Sequence, residues 1–395
     1  IWGLPIFLLL MWITFQATFS LGGIPAEWME AGVQWLGDWV TGLMPEGSLR
    51  ELLVGGIISG VGGVIVFLPN ILILFFFISL MEDTGYMARA AFIMDKLMHK
   101  IGLHGKSFIP LLMGFGCSVP AIMATRTLES RKDRVMTMLI IPFMSCSARL
   151  PVYVLLISAF FPHNQGLVLF SIYLIGILIA VLSSVLFKKL LFAKQEAPFV
   201  MELPPYRIPT VHNVVRHMWD KGAQYLKKMG TVILLASIII WALGHYPRNV
   251  EYSTDYAAEK ALVAASDQSA EEKQAQIQHL DNSQYAEHQE KSYIGRIGHF
   301  IEPAIRPLGF DWRIGVSLAS GLAAKEVIVS TMAVLNNSGD DETMLARNLQ
   351  KQTYASGPKA GEHVYTPLVA YTLMIFILLY FPCIAAMAAI RREAG

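Results

Sequence analysis

The 395-residue chain is 54% hydrophobic and only 15% charged, with a mean hydropathy of +0.48, whereas a soluble domain carries about 25% charged residues. A formal net charge of +1, with lysine and arginine gathered in loops between apolar runs, excludes a basic phosphate-binding face and with it nucleic acid as a partner. Three cysteines, all in apolar stretches, exclude a paired disulfide framework and leave chemical or steric roles.

A bilayer core of roughly 30 Å is crossed by about 20 apolar residues in helix. Ile1 to Phe19 is the first such run. The chain opens on Ile1 and shows no small-residue cleavage site after this run, so it reads as the first transmembrane helix of a truncated chain and not as a signal peptide. Leu21 to Leu49 carries Glu27, Glu30, Asp38 and Glu46 with no basic residue, which suits the outer side, and Trp28, Trp35 and Trp39 are spaced for one face of a short interfacial helix. A long apolar run follows from Leu52 to Met81. The stretches Glu82 to Lys106 and Arg126 to Arg134 are both basic and read as cytoplasmic loops. The weakly apolar run between them, Ser107 to Thr125, therefore enters and returns as a hairpin from the inside.

Met136 to Phe161 and Leu167 to Phe187 are clear spans joined by an uncharged outer turn. Phe187 to Lys228 is rich in lysine and arginine, hence cytoplasmic, and Pro198, Pro204, Pro205 and Pro209 stiffen it as a linker. After a span at Met229 to Leu243 comes a long acidic loop, within which Glu251 to Lys291, rich in Ala, Gln and Glu, reads as a solvated helical excursion. The second weak run, Gly315 to Leu335, lies between outer loops and forms a hairpin from outside. Pro367 to Ile390 is the last span, and Arg391 and Arg392 place the C-terminus in the cytoplasm.

The sum is an all-α polytopic membrane protein of two inverted-topology halves, each with a re-entrant or broken-helix gate, an architecture that recurs among secondary transporters. Its expected parts are 1–50 (first helix and interfacial helix), 51–195 (first gate half), 196–228 (cytoplasmic linker) and 229–395 (second gate half, with the excursion at about 247–311). Ordinary crossing helices with small residues for close packing are the alternative for the two weak runs.

Gly114, Gly116 and Pro120 flank Cys117 in the first hairpin, and unwound backbone at membrane depth is tolerated where protein or a water-filled cavity satisfies it. The alternative for Cys117 is a small buried hydrophobe. Ser145, Cys146, Ser147, Arg149 and Pro151 interrupt the next span; an arginine there is either paired at a cavity or snorkelling from a helix end. In the opposite half Lys325 and Glu326 stand side by side in the second weak run, and Cys383 follows Pro382. Every cysteine thus lies in or beside a helix break. Glu82 and Asp83 close the second span, as exit-lining carboxylates or as solvated residues at a helix end.

Gly116-Cys117-Ser118-Val119-Pro120, Ser145-Cys146-Ser147-Ala148-Arg149-Leu150-Pro151, Glu82 to Arg89, and Lys325-Glu326-Val327 together resemble the membrane domain of FeoB-type ferrous iron transporters, over nearly the whole chain. The resemblance implies Fe²⁺ uptake across a bacterial inner membrane by a multi-pass protein with both termini cytoplasmic, through two gates distantly similar to those of nucleoside transporters. Cys117, Cys146, Glu326 and Cys383 are then the metal-handling residues, supported by Gly116, Pro120, Ser145, Ser147, Arg149, Lys325, Glu82 and Asp83. Fe²⁺ is substrate, and this chain binds no cofactor of its own.

Family members also carry an N-terminal GTP-binding domain, which would supply GTP and Mg²⁺ dependence. Small cytoplasmic Feo accessory proteins and a homo-oligomeric assembly are further partners of that kind, besides the lipid bilayer. No phosphate loop occurs here: Gly105-Lys106-Ser107 lacks the earlier glycine, where Lys100 stands. The thiolate and carboxylate set would equally bind Zn²⁺, Co²⁺ or Mn²⁺, so iron comes from the resemblance and not from the ligands. A nucleoside-like solute held by Glu326, Ser145 and Asn70 is the alternative cargo. An intramembrane enzyme with Cys117 as nucleophile is disfavoured, because His99, His104 and His163 all fall in loops.

Overall fold

The computed structural model describes residues 3–45, 47–191, 206, 209–248, 252–265, 270–336, 342–353 and 362–394. Among these the secondary structure is helical, apart from one isolated bridge between Thr353 and His363. Pro198, Pro204 and Pro205 of the expected linker lie outside the described residues. The chain divides into two compact units: unit 1 is Ile1–Ser147, Tyr173–Ile238 and Ile384–Gly395, and unit 2 is Ala148–Ile172 and Ile239–Cys383.

Unit 1 opens with α1, Gly3–Leu43, a single helix of 41 residues. A span followed by a separate interfacial helix was the expectation; instead the helix runs on through Gly22, Gly23 and Pro25, residues that ordinarily end one. Packing overrides propensity here. α2 (Ser48–Glu51) and a π-helical stretch, Leu52–Ile58, lead into α3 (Ser59–Asp83), which packs along α1. A Cβ on Gly22 would run into the Asn70 side chain, and one on Gly62 would lie 2.5 Å from Val33 Cγ1. The two helices approach at points where only glycine fits. Trp28, 75% exposed, and Trp35 lie on the outer face of α1.

At Thr84-Gly85 the chain turns by 81° into α4, Tyr86–Ile101. Gly85 has φ +75, the left-handed region that side chains avoid, so glycine is needed at this corner. The stretch from Glu82 to Lys106, expected as a loop, is therefore mostly an amphipathic helix. Its buried residues Met87, Ala90, Ala91, Met94 and Met98 recur at helical spacing, a period obscured by the charges between them. α5 (Phe108–Gly116), α6 (Ser118–Ala124) and α7 (Arg131–Ile140) complete this part of the unit.

α8 (Leu150–Phe160) belongs to unit 2, and α9 (Gln165–Leu191) passes from unit 2 back into unit 1. Leu167, Phe170, Leu174, Leu178, Leu182, Leu186 and Leu190 are exposed along α9 at three- and four-residue steps, a stripe that calls for lipid. α10 (Val211–His245) returns from unit 1 to unit 2 and contains the expected span Met229 to Leu243. The excursion is helical, as expected, in α11 (Tyr256–Ala265) and α12 (Ala270–Lys291).

Within unit 2, α13 (Tyr293–Ile305) packs on α14 (Trp312–Ser320), and α15 (Val327–Leu335), α16 (Glu342–Lys351) and α17 (Pro367–Leu379) follow. α16 and α17 both pack on α8. α18 (Ile384–Ala394) lies in unit 1, against α6 and α7. Among the described residues three stretches are long and apolar enough to cross a membrane, Arg131–Phe160, Gln165–Leu190 and Pro367–Ala394, with the bent pair Leu68–Asp83 and Tyr86–Ile101 as a fourth if counted as one span.

Candidate functional site

The first break lies in unit 1. Cys117 joins α5 to α6 in an extended conformation, φ −150 and ψ 130, so the helix stops for one residue and restarts. Gly114 and Gly116 weaken the end of α5, and Pro120 falls in the first turn of α6, where its missing N–H costs no helical hydrogen bond. Cys117 is partly exposed and is not in a disulfide.

The second break follows α7. A 3-10 turn at Ile141–Phe143 carries Pro142, Met144 is extended at ψ 131, and a further 3-10 turn, Ser147–Arg149, precedes α8. Cys146 sits between the two turns, free and partly exposed. Two contacts bind this break to the first. The Ser147 hydroxyl donates to the Gly116 carbonyl at 2.8 Å. A Cβ on Gly114 would lie 3.1 Å from Met144 Cβ, so α5 presses directly on the Met144 segment. The residues adjoining Cys117 and Cys146 are thereby held against each other.

Ser145 is 1% exposed, and its hydroxyl has no hydrogen-bond partner among the described residues. A buried hydroxyl in that state is costly unless something else engages it. Arg149, in unit 2, is 2% exposed, so its guanidinium lies inside the protein and does not reach out from a helix end. At the corner after α3, Glu82 is exposed while Asp83 faces His217 Nδ1 at 3.9 Å.

Unit 2 contains the third break. Asp311 caps α14 by accepting from the Ile314 N–H at 3.0 Å, and its other carboxylate oxygen accepts from Gln352 at 2.9 Å. α14 ends at Ser320, a series of turns spans Gly321 to Glu326, and α15 begins at Val327. A Cβ on Gly321 would collide with Ile328 and approach the Tyr380 hydroxyl to 2.8 Å, so the turn sits tightly on the end of α17. Lys325 is 2% exposed; its ammonium donates to the Phe381 carbonyl at 2.8 Å and stands 3.3 Å from the centre of the Tyr380 ring. Glu326 is partly buried, and Cys383, partly exposed and not in a disulfide, lies between α17 and α18.

The structure thus brings the Cys117 and Cys146 segments together in one unit and the Lys325 turn and the Tyr380–Cys383 segment together in the other. Among the described residues no group of three or more His, Cys, Asp and Glu side chains is placed to hold a metal ion. Sequence reasoning missed Tyr380 and the Phe381 carbonyl as partners of Lys325. No local signal carries that pairing, since the partners are 56 positions apart. It also missed the Arg126–Glu393 pair, in which a bidentate contact fastens α18 beside α6.

The sequence family described as "Gate: Nucleoside recognition" matches residues 64–160 and 226–395, and "Ferrous iron transport protein B C terminus" matches residues 169–221. Over its full length the chain is 57% identical to the "Fe(2+) transport protein A/Fe(2+) transporter FeoB fusion protein" of Porphyromonas gingivalis, of which it covers 47%. It is 44% identical to the "Fe(2+) transporter FeoB" of Campylobacter jejuni and 42% identical to that of Helicobacter pylori, covering 59% and 60% of them. The chain spans about half to three fifths of the length of these relatives. No solved structure matches it. Broken helices at the matched gate segments and the family match over most of the chain agree: the chain belongs to the gate family, and along its whole length it is similar to part of the Fe(2+) transporter FeoB relatives.

Proposed function

We propose that this chain forms the membrane path by which Fe²⁺ enters the bacterial cytoplasm across the inner membrane, with Cys117 and Cys146 as thiolate ligands for the ion in transit. The observation that carries this reading is the Ser147–Gly116 hydrogen bond, which ties two cysteine-bearing breaks into one element. A path for a dehydrated divalent cation needs donors on backbone that is not locked into a helix, and both thiols sit on such backbone. The breaks at Cys117 and at Gly321–Glu326 act as the gates of two inverted halves, each entering from one side of the membrane. Glu326 and Cys383 serve the ion at the gate of unit 2, and Glu82 and Asp83 line the cytoplasmic exit. In the intact protein GTP binding by a domain outside this chain drives the gates. The names of these relatives, all Fe(2+) transporters, support iron as the cargo.

Thiolate ligation requires deprotonation, so transport weakens as pH falls below neutrality. The test is Fe²⁺ uptake into proteoliposomes by the intact protein. Cys117→Ser and Cys146→Ser should each reduce the rate at least roughly ten-fold, the loss expected when a soft ligand is exchanged for a hydroxyl. Native rates in both variants would refute the ligand role. The matched family's description and the unpartnered Ser145 hydroxyl favour a second reading, in which a nucleoside-like solute is bound through Ser145, Asn70 and Glu326. Competition by nucleosides and not by divalent metals would establish that cargo instead.

A further inference from the structure

The end of α17 is built to hold a cation, and a side chain of the protein already occupies it. α17 stops at Leu379, Tyr380 turns extended at ψ 173, and Pro382 has no N–H to return to the helix. The Phe381 carbonyl, two residues past the last helical residue, lies on unwound backbone and accepts from the Lys325 ammonium. Ends of this kind coordinate small cations in transporters built from broken helices. Tyr380 adds a π-face. Its ring stacks on Phe376 at 5.7 Å, and Phe376 meets the fully buried Phe310 edge-on at 5.5 Å. The platform is therefore fixed before any ion arrives.

Lys325 comes to this platform from the turn that interrupts α14 and α15. Its ammonium makes the two contacts a bound cation would make, one with the Phe381 carbonyl and one with the Tyr380 ring. Burying a lysine is costly unless it is held this closely. Glu326 is its neighbour in the turn, and Cys383 is two residues beyond Phe381. We infer that Lys325 is a tethered cation that keeps the gate of unit 2 closed: its ammonium fills the cation-binding end of α17, and a transported cation passes when the ammonium withdraws. This rests on the reading that the chain moves Fe²⁺, and it adds the residue that blocks the path at rest.

The experiment is passive flux through the intact protein in proteoliposomes without nucleotide, read in parallel for Fe²⁺, Co²⁺ and Na⁺. Lys325→Ala should raise the leak roughly ten-fold or more, the factor lost with a desolvated cation–π contact. Added n-propylammonium, which matches the deleted side chain, should close the leak again. Tyr380→Leu should leak in the same way, whereas Tyr380→Phe, which keeps the ring, should stay closed. This pair decides the matter if Lys325→Ala does not fold. Wild-type flux in folded Lys325→Ala or Tyr380→Leu protein, or a leak that n-propylammonium leaves unchanged, would overturn the inference. A leak of Co²⁺ and Na⁺ with no Fe²⁺ movement in any variant, wild type included, would instead overturn iron transport and leave the tether standing.

Discussion

Replacing Ser147 with alanine removes the hydroxyl that joins the two cysteine-bearing breaks and leaves the Gly116 carbonyl, itself at the end of a helix, without that donor. A hydrogen bond of 2.8 Å between partly buried groups is worth about 1–2 kcal/mol once the unmet acceptor is counted. Steric contact between Gly114 and Met144 persists, so the breaks separate transiently and do not fall apart. The population of the separated state should then rise by roughly 5–30-fold. The assay is the rate at which a membrane-permeant maleimide modifies Cys117 and Cys146, measured by mass spectrometry at a reagent concentration where opening and closing are fast relative to labelling. Both thiols should label faster by that factor, while Cys383 in unit 2 serves as the internal reference. Equal acceleration at all three cysteines would mean general loosening, and unchanged rates at Cys117 and Cys146 would mean that the hydroxyl does not hold the breaks together. Either result refutes the reasoning.

The Arg126–Glu393 contact fastens α18 to unit 1, and the Glu393 side chain is only 7% exposed. Arg126→Ala should therefore weaken α18 docking by about 2 kcal/mol, and the cycle with Glu393→Ala should return a coupling of about 1 kcal/mol, read from thermal unfolding in detergent. In the excursion, burial works against ionisation of Glu287, but the Lys291 ammonium, the Ser253 N–H and hydroxyl and the Tyr256 hydroxyl prevail and hold the carboxyl down to about 2. A carboxyl depressed in the folded state stabilises above its unfolded value of 4.5 and loses that contribution as pH falls from there towards 2. Glu287→Gln should flatten this dependence, worth about 1–2 kcal/mol after solvent screening, in amide exchange of α11 and α12 between pH 6 and pH 3. Gly321→Val should destabilise unit 2 by about 2 kcal/mol or more, since its side chain would overlap Ile328 and crowd Tyr380. An unchanged melting temperature in that variant would show that the turn has room to move.

The breaks were legible because their signals are local. Gly114, Gly116 and Pro120 lie around Cys117 and Pro151 follows Cys146; α5 ends at Gly116, and Pro120 and Pro151 fall in the first turns of the helices that restart after each break. The continuity of α1 was not legible, because Gly22, Gly23 and Pro25 read as a stop until α3 is seen to pack against them. α4 was legible in its period of buried methionines and alanines but was hidden by reading the stretch for charge. The partners of Lys325 and Arg126 come from elsewhere in the chain, 56 and 267 positions away, and no residue near either one announces them. Long-range pairing of this kind is decided by the fold and has no signature in a window of sequence.

The chain changes unit at Ser147–Ala148, Ile172–Tyr173, Ile238–Ile239 and Cys383–Ile384, so α18 reaches α6 and α7 only after all of unit 2 has been made. Biogenesis inherits a fixed order from this. While ribosomal synthesis is still passing through residue 380, the α6–α7 surface already exists and waits uncovered, with Arg126 facing no Glu393. A nascent protein halted there would keep that surface exposed until α18 is made and covers it.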